Sequence, residues 1–355
     1  MRYSLYFISP FLSIHLKIQE REITMKKKTT LSLLLAALML LSTLTGCGSS
    51  GNTDTTAATS AVQAETTAPT SAAQAETTAS SGLTITDMKD RTMTFDEPVE
   101  RIVVLTASDC EILYAVGAGS MVVGRGTYCD YPAEVESVPV LSSGFDTNVE
   151  EIIALNPQAV LMSTMSQPLE HIEALEAAGI RCVVTDARNI AEVYTAIELI
   201  GSLTGKDEKA AAVITEMKTT FEELQEKAAG DGSKTVYFEV SPLEYGLWTA
   251  GSGTFMDELA TMLGLTNAFS DVSDWGEVSE EQVIERNPDY IVTIAMHFGE
   301  GPTPEEEILS RTGWQGMTAI QNNAILNADS NEISRPGPRL ANAAKTLYDF
   351  LYEAE

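Results

Sequence analysis

The chain carries 22 Lys and Arg against 51 Asp and Glu over 355 residues, a formal net charge of −29, which excludes a protein that works by neutralising nucleic-acid phosphates. With 44% hydrophobic residues it can bury a large core without a disulfide or zinc framework: the four Cys form no C-x-x-C pair, and three His are too few for a His-rich metal cage. The length fits one large domain or two of ordinary size.

Lys26, Lys27 and Lys28 lead into an apolar run over 31–44, which closes on Leu44-Thr45-Gly46-Cys47. A charged part, an apolar part and a small-residue site in that order form a secretory signal, and 14 apolar residues fall short of the about 20 that span a bilayer. The site resembles the lipobox of bacterial lipoproteins. That resemblance implies that residues 25–46 are a signal peptide and that Cys47 becomes a lipidated N-terminus. Met25 directly precedes the basic triplet, so residues 1–24 read as an upstream extension. Cleavage before Cys47 removes six basic and two acidic residues and leaves 309 residues at −33. Such a surface is repelled by anionic headgroups, so the lipid is what would hold the chain at the membrane. Residues 47–82 are nearly all Gly, Ser, Thr, Ala, Gln and Glu, with Gln63-Ala64-Glu65-Thr66-Thr67 recurring as Gln74-Ala75-Glu76-Thr77-Thr78. They offer too little apolar surface to offset ordering entropy and read as a disordered tether.

From residue 83 onward short β-rich runs alternate with helical stretches, which predicts an α/β protein with largely parallel sheets. Ile102–Leu105, Met121–Gly124, Ala159–Ser163 and Cys182–Thr185 read as strands of an N-terminal lobe, residues 83–205. Lys206–Ala229 places Val213, Met217, Phe221, Leu224 and Ala228 at helical spacing before Gly230, which suits a helix end. This predicts one rigid helix, about residues 206–230, bridging to a C-terminal lobe at 231–355 with strands Thr235–Val240, Tyr290–Ile294 and Ala324–Asn327. The predicted fold is therefore two Rossmann-like α/β lobes joined by a single long helix, with a ligand cleft between the lobes.

An internal echo supports two equivalent lobes. Asn148–Pro157 aligns with Ser279–Pro288 at an offset of 131. Each copy starts with a capping residue followed three places on by Glu151 or Gln282, predicting a capping box, and each ends at Asn-Pro before a strand. Glu150 and Glu281 thus share the second helical position. Carboxylates there favour the positive helix end; equally, two matched acids suit a two-fold partner carrying Arg or Lys.

Several stretches together resemble one family, the substrate-binding lipoproteins of ABC importers for ferric siderophores, haem and cobalamin, whose lobes are bridged by a rigid helix. They are Arg101–Leu105, Ser108-Asp109-Cys110-Glu111, Tyr128-Cys129-Asp130-Tyr131-Pro132, Asn148–Pro157, Val278–Pro288, and Ser334-Arg335-Pro336-Gly337-Pro338-Arg339. The resemblance implies a non-enzymatic, monomeric receptor outside the cytoplasm. It would have no cofactor of its own and would deliver a metal chelate to a permease dimer with a cytoplasmic ATPase. It also implies that Glu150 and Glu281 dock against permease arginines, and it places cobalamin first among ligands, ferric siderophores second and haem third.

Ligands of such sheets bind at the carboxyl ends of parallel strands. Tyr128 follows the strand Met121–Gly124, Phe145 precedes the Asn148 helix, Trp248 follows the strand Thr235–Val240 and Trp275 precedes the Ser279 helix; all four offer flat area to a large macrocycle, although core packing would equally place them. Arg335, beside a stiff Pro-Gly-Pro, would stand over the cleft for an anionic group, whereas Arg339 reads as a local cap or ion pair. Arg125 is a second cationic candidate or a solvated residue. His297 could ligate iron or cobalt or make a neutral contact, and His171 reads as a surface helical residue. Cys182 reads as a buried small hydrophobe, and whether Cys110 bridges Cys129 is left open. A surface-anchored hydrolase is the rival class, but no Gly-x-Ser-x-Gly occurs and His297 is almost the only available base. A sensor or adhesion lipoprotein on the same fold is a third reading.

Overall fold

The computed structural model describes residues 82–164, 167–296 and 301–353. The extension, signal and tether readings, Cys47 and His297 lie outside the described residues.

The first element has no counterpart among the predicted strands. Strands β1 (Leu83–Thr86) and β2 (Thr92–Phe95) form an antiparallel hairpin. Its turn is organised by Asp87, whose carboxylate accepts from the backbone of Lys89 and Arg91 at 2.9 and 3.0 Å and from Val184 N at 3.1 Å. One buried acid thereby closes the turn and ties the hairpin to the first main sheet.

That sheet is wholly parallel, in the order β5-β4-β3-β6-β7, with β3 Ile102–Val104, β4 Val122–Gly126, β5 Val140–Leu141, β6 Ala159–Met162 and β7 Arg181–Val184. Every residue of β3 and β6 is buried, as expected when helices cover both faces. Alternate side chains feed two cores. Ile102, Val104 and Leu161 join Ile112 and Leu113 of α1 (Ala107–Ala115) and Ile197 and Ile200 of α4 (Ile190–Thr204). Val103, Val160 and Met162 join Ile152 of α2 (Val149–Ala154) and Leu175 of α3 (Leu169–Ala177). Most strand bounds fall within a residue or two of those predicted. Met121 instead belongs to a short 3-10 turn, and β4 runs on to Gly126.

Helix α4 stops at Gly205, whose φ of 65° reverses the chain into α5, Asp207–Lys227. The 21 residues of α5 make a rod of about 31 Å. Its buried stripe, Ala210, Ile214, Met217, Phe221 and Leu224, repeats at four and three residues and packs on α4 and on the final helix. The predicted end at Ala229 with Gly230 as a left-handed cap is corrected: Ala228 already turns extended, with φ −63° and ψ 124°. Glycine is needed at 230 for a different reason, since a Cβ there would lie 2.4 Å from the Gly264 carbonyl oxygen.

The second sheet has the order β11-β9-β8-β12-β13, with β10 also on β8. Parallel pairing joins β8 (Thr235–Ser241) to β12 (Tyr290–Thr293) and β10 (Thr266–Asn267), and β12 to β13 (Ile325–Asn327). Strands β9 (Trp248–Ala250) and β11 (Trp275–Glu277) add an antiparallel ladder on the far side of β8. The helices are α6 Phe255–Met262, α7 Glu280–Arg286, α8 Pro304–Ser310, α9 Thr318–Gln321, α10 Ser330–Ile333 and α11 Leu340–Tyr352.

The echo is structural as well as textual. Asn148 accepts from Glu151 N at 3.2 Å to open α2, and Ser279 accepts from Gln282 N at 3.3 Å to open α7. Only the second is a full capping box, because Gln282 returns a bond from Ser279 N at 2.9 Å. Both copies end on a left-handed asparagine, Asn156 at φ 49° and Asn287 at φ 45°. The strands that follow, β6 and β12, start at the same offset of 131.

Gly230→Ala tests the close approach of the two glycine backbones. The added methyl must displace main chain, so destabilisation of about 1–3 kcal/mol is expected, read as a lower urea midpoint with unchanged slope.

Candidate functional site

In the N-terminal lobe, Thr127 and Tyr128 leave β4 at its carboxyl end. Thr127 N donates to Ser143 Oγ at 3.1 Å and its hydroxyl to Leu141 O at 3.3 Å, fastening this loop to the one after β5. Tyr128 is half-buried, and the backbone of Phe145 lies in the adjoining turn Gly144–Asp146. The fold therefore brings these two positions to neighbouring strand ends. In the C-terminal lobe, Trp248 pairs with Ser241 at the carboxyl end of β8 and with Glu277 of β11, while Trp275 pairs with Ala250. Residues directly opposite on a ladder share a face, so both tryptophans project on one side, diagonal to each other. Trp275 also meets Phe255 edge-on, with ring centroids 5.6 Å apart.

Two acids lie at the carboxyl ends of the strands in the N-terminal lobe: Asp109, within the Ser108–Glu111 stretch noted in the sequence, and Asp186, which has no sequence signal. The Asp186 carboxylate accepts from Ser163 Oγ at 2.6 Å, Thr164 N at 2.9 Å and the Thr164 hydroxyl, and it pairs with Lys89 at 2.8 Å. Burial opposes its charge, but Lys89 and the hydroxyls outweigh that and hold it below the usual carboxylate range. Asp109, in the first turn of α1, is 1% exposed and accepts from Thr185 Oγ1 at 2.6 Å. Burial, assisted by the charge on Asp186, pushes its pKa up to about 7.

Arg335 does not stand free over a cleft, and this corrects the expectation. It is 8% exposed, and its guanidinium donates to Glu111 at 2.9 Å and Asp130 at 2.7 Å. Arg339, expected to pair locally, does so with Glu332 at 3.8 Å and also reaches the same distant carboxylate, with Nε to Oε2 at 2.9 Å and a terminal nitrogen to Oε1 at 2.6 Å, and lies over the Tyr131 ring at 4.1 Å. Burial disfavours both guanidinium charges, but the carboxylates more than offset it. Glu111, with 2% of its side chain exposed, thus latches the segment before α11 onto α1. Its partners lie 224 and 228 residues away. The available sequence signal was two acids, Asp109 and Glu111, inside the otherwise mostly apolar stretch of α1. Arg125 is also engaged, donating to Val138 O at 3.1 Å and Cys129 O at 2.7 Å. Two further bonds cross between the lobes: Phe255 N to Arg188 O at 2.8 Å and Ile190 N to Glu258 Oε2 at 2.6 Å.

Glu150 and Glu281 are both exposed at the second positions of α2 and α7. The backbone N–H of Glu281 and the Ser279 hydroxyl hold the Glu281 carboxyl below its usual range. One turn on, Ile153 and Ile284 are exposed at 39% and 36%, while their neighbours Ile152 and Val283 are fully buried. Each lobe therefore shows an acid beside an exposed isoleucine at matched positions. His171, expected at the surface, is half-buried with Nδ1 unpartnered, and Cys182 is buried as expected. Two cavities of about 430 and 530 Å³ lie elsewhere, beside Arg91 and Arg181 and beside Gly230 and Gly264, and neither is lined by a candidate ligand residue.

Residues 102–332 match the periplasmic binding protein family. The chain is 33% identical over 336 residues to an ABC transporter substrate-binding lipoprotein, YvrC, of Bacillus subtilis, covering 92% of this chain and 98% of that protein. It is 28% identical over 254 residues to a vitamin B12-binding protein of Salmonella typhimurium, covering 71% and 90%. Among solved structures, a possible iron-binding periplasmic solute-binding protein of Staphylococcus epidermidis aligns with a TM-score of 0.63 and 31% identity, over 72% of this chain and 100% of that one. The chain belongs to the periplasmic binding protein family. It is the substrate-binding component of an ABC importer, a transport component that works with a permease and an ATPase and not an enzyme. No helix of the described residues is long and apolar enough to cross a membrane.

Two outcomes follow from the buried charges. Glu111→Gln leaves two guanidiniums undercompensated and is expected to cost roughly 3–5 kcal/mol in urea unfolding. For Asp109 the folded state holds its proton to a higher pH than the unfolded chain does. Its burial therefore weakens the fold as pH rises from about 4 towards 7 and leaves the full penalty above that. Asp109→Asn should remove this dependence, giving a variant whose thermal midpoint gains on the parent between pH 5 and pH 8.

Proposed function

We propose that the chain captures a corrinoid of the cobalamin type between its lobes and hands it to a permease dimer. The observation that carries this reading is the pairing of flat aromatics with spent cations. Trp248 and Trp275 share one ladder face, Tyr128 and Phe145 occupy adjoining strand ends, and Arg335, Arg339 and Arg125 are all engaged within the protein. A ligand held chiefly by aromatic area suits that arrangement better than a strongly anionic catecholate chelate, which calls for uncommitted cations. The relatives named as vitamin B12-binding proteins, 25–28% identical, favour the same class. Ferric siderophores and haem are the alternatives within the family.

Docking in this reading uses Glu150 and Glu281. Their equivalent places in a repeated unit suit a two-fold permease presenting Arg or Lys, and Ile153 and Ile284 supply apolar contact beside each charge. Lipidation at Cys47 would tether the chain to the outer face of the cytoplasmic membrane, consistent with the strongly acidic surface.

Thermal unfolding with cyanocobalamin, haemin and a ferric hydroxamate tests the ligand. Cyanocobalamin at about 100-fold over its Kd should add roughly 2.7 kcal/mol and raise the midpoint by several degrees. A shift with haemin or the hydroxamate but none with the corrinoid would overturn the assignment. Docking is tested separately: Glu150→Lys with Glu281→Lys should abolish uptake into vesicles carrying the permease while ligand binding is retained. Unchanged uptake would refute docking through these residues.

A further inference from the structure

The two repeated units differ in one respect. In the N-terminal lobe three residues, 178–180, lead from α3 to the following strand β7, whereas in the C-terminal lobe fourteen residues, 311–324, lead from α8 to β13. The longer connection lies along α7 and meets both of its ends. At the start of α7 the fully buried Trp314 donates from Nε1 to Glu280 Oε2 at 2.9 Å, one residue before Glu281. At its end Thr318 N donates to Asn287 Oδ1 at 2.7 Å, and Asn287 Nδ2 donates to Thr318 Oγ1 at 2.9 Å. Between these points Gly313 runs beside Ile284, whose Cδ1 would lie 3.8 Å from a Cβ added there.

The connection is itself anchored in the core. Arg311 stacks on the Trp314 ring at 4.5 Å and donates to both oxygens of Glu239 in β8, at 2.6 and 2.9 Å. With Arg311 5% and Glu239 1% exposed, this bidentate pair fixes direction as well as distance. Helix α2 has no such frame. Asn148 closes its first turn, and Arg101 holds its end through the Leu155 carbonyl at 2.6 Å. Among the described residues, no side chain of another element bonds to Glu150 or Glu151.

We propose, resting on the docking reading above, that the 311–324 connection makes the two docking acids unequal: Trp314 presets Glu281 as the anchor for a permease Arg or Lys, and Glu150 contributes less. An acid on a braced helix loses less freedom on association than one on a helix free to shift, so the same charge pair returns more affinity. Glu280 is committed to the indole N–H, which leaves Glu281 as the free acid of that turn.

Binding of the full chain to its permease–ATPase complex in nanodiscs, read by surface plasmon resonance without added ligand, tests this. Glu281→Ala is expected to weaken binding about tenfold more than Glu150→Ala does. Trp314→Phe keeps a ring under Arg311 and removes only the N–H donor. In that background the excess should shrink to about twofold, and amide hydrogen exchange should rise in α7 but not in α2. Equal losses for the two single variants, a larger loss for Glu150→Ala, or an excess that survives Trp314→Phe would overturn the proposal. No loss from either single variant would overturn it together with the docking reading itself. Both glutamates are exposed, so the comparison of the single variants stands even if Trp314→Phe fails to fold.

Discussion

A carboxylate removed from water costs several kcal/mol unless its charge and lone pairs are met. Glu111 meets that demand with two guanidiniums carried in from the far end of the chain. Arg339 binds both oxygens of Glu111, Arg335 adds a second bond to one of them, and Asp130 balances the extra positive charge. Since α1 belongs to the first sheet's cover and Arg335 and Arg339 lead into α11, which packs on α5, detaching this latch would expose a buried charge of either sign. The latch ties α1 of the N-terminal lobe to the segment before α11.

That constraint gives meaning to the repeated unit. Residues 148–162 and 279–293 share a side-chain cap, a left-handed asparagine stop and a following central strand, so each lobe presents its acid from the same place on its own fold. In the proposed docking reading two such knobs would address a symmetrical partner, and the buried ion-pair latch would help to hold their separation. At the strand ends of the N-terminal lobe, burial beside the charged Asp186 pushes the pKa of Asp109 up to about 7.

Much of the fold is legible in the sequence. Uninterrupted apolar runs such as 102–104 and 159–162 mark buried parallel strands, and the echo at 131 residues marks two lobes. What escapes has physical reasons. Strands β9 and β11 are three residues each, too short to carry a period, so Trp248 and Trp275 can be placed near strands but not on one face. Arg335 and Arg339 stand out because Pro-Gly-Pro stiffens the chain between them, yet stiffness does not reveal a partner more than 220 residues away. Gly230 reads correctly as a glycine with special backbone duty but suggests the wrong one, since close approach to Gly264 depends on tertiary packing.

The claim that lobe spacing is locked by α5 and the Glu111 latch is tested most directly by electron–electron distance measurement between spin labels at the exposed positions 151 and 285, on a chain freed of its native thiols. The account predicts one narrow distance distribution that ligand barely moves and that broadens on Glu111→Gln. A broad or two-peaked distribution in the unsubstituted background would contradict it.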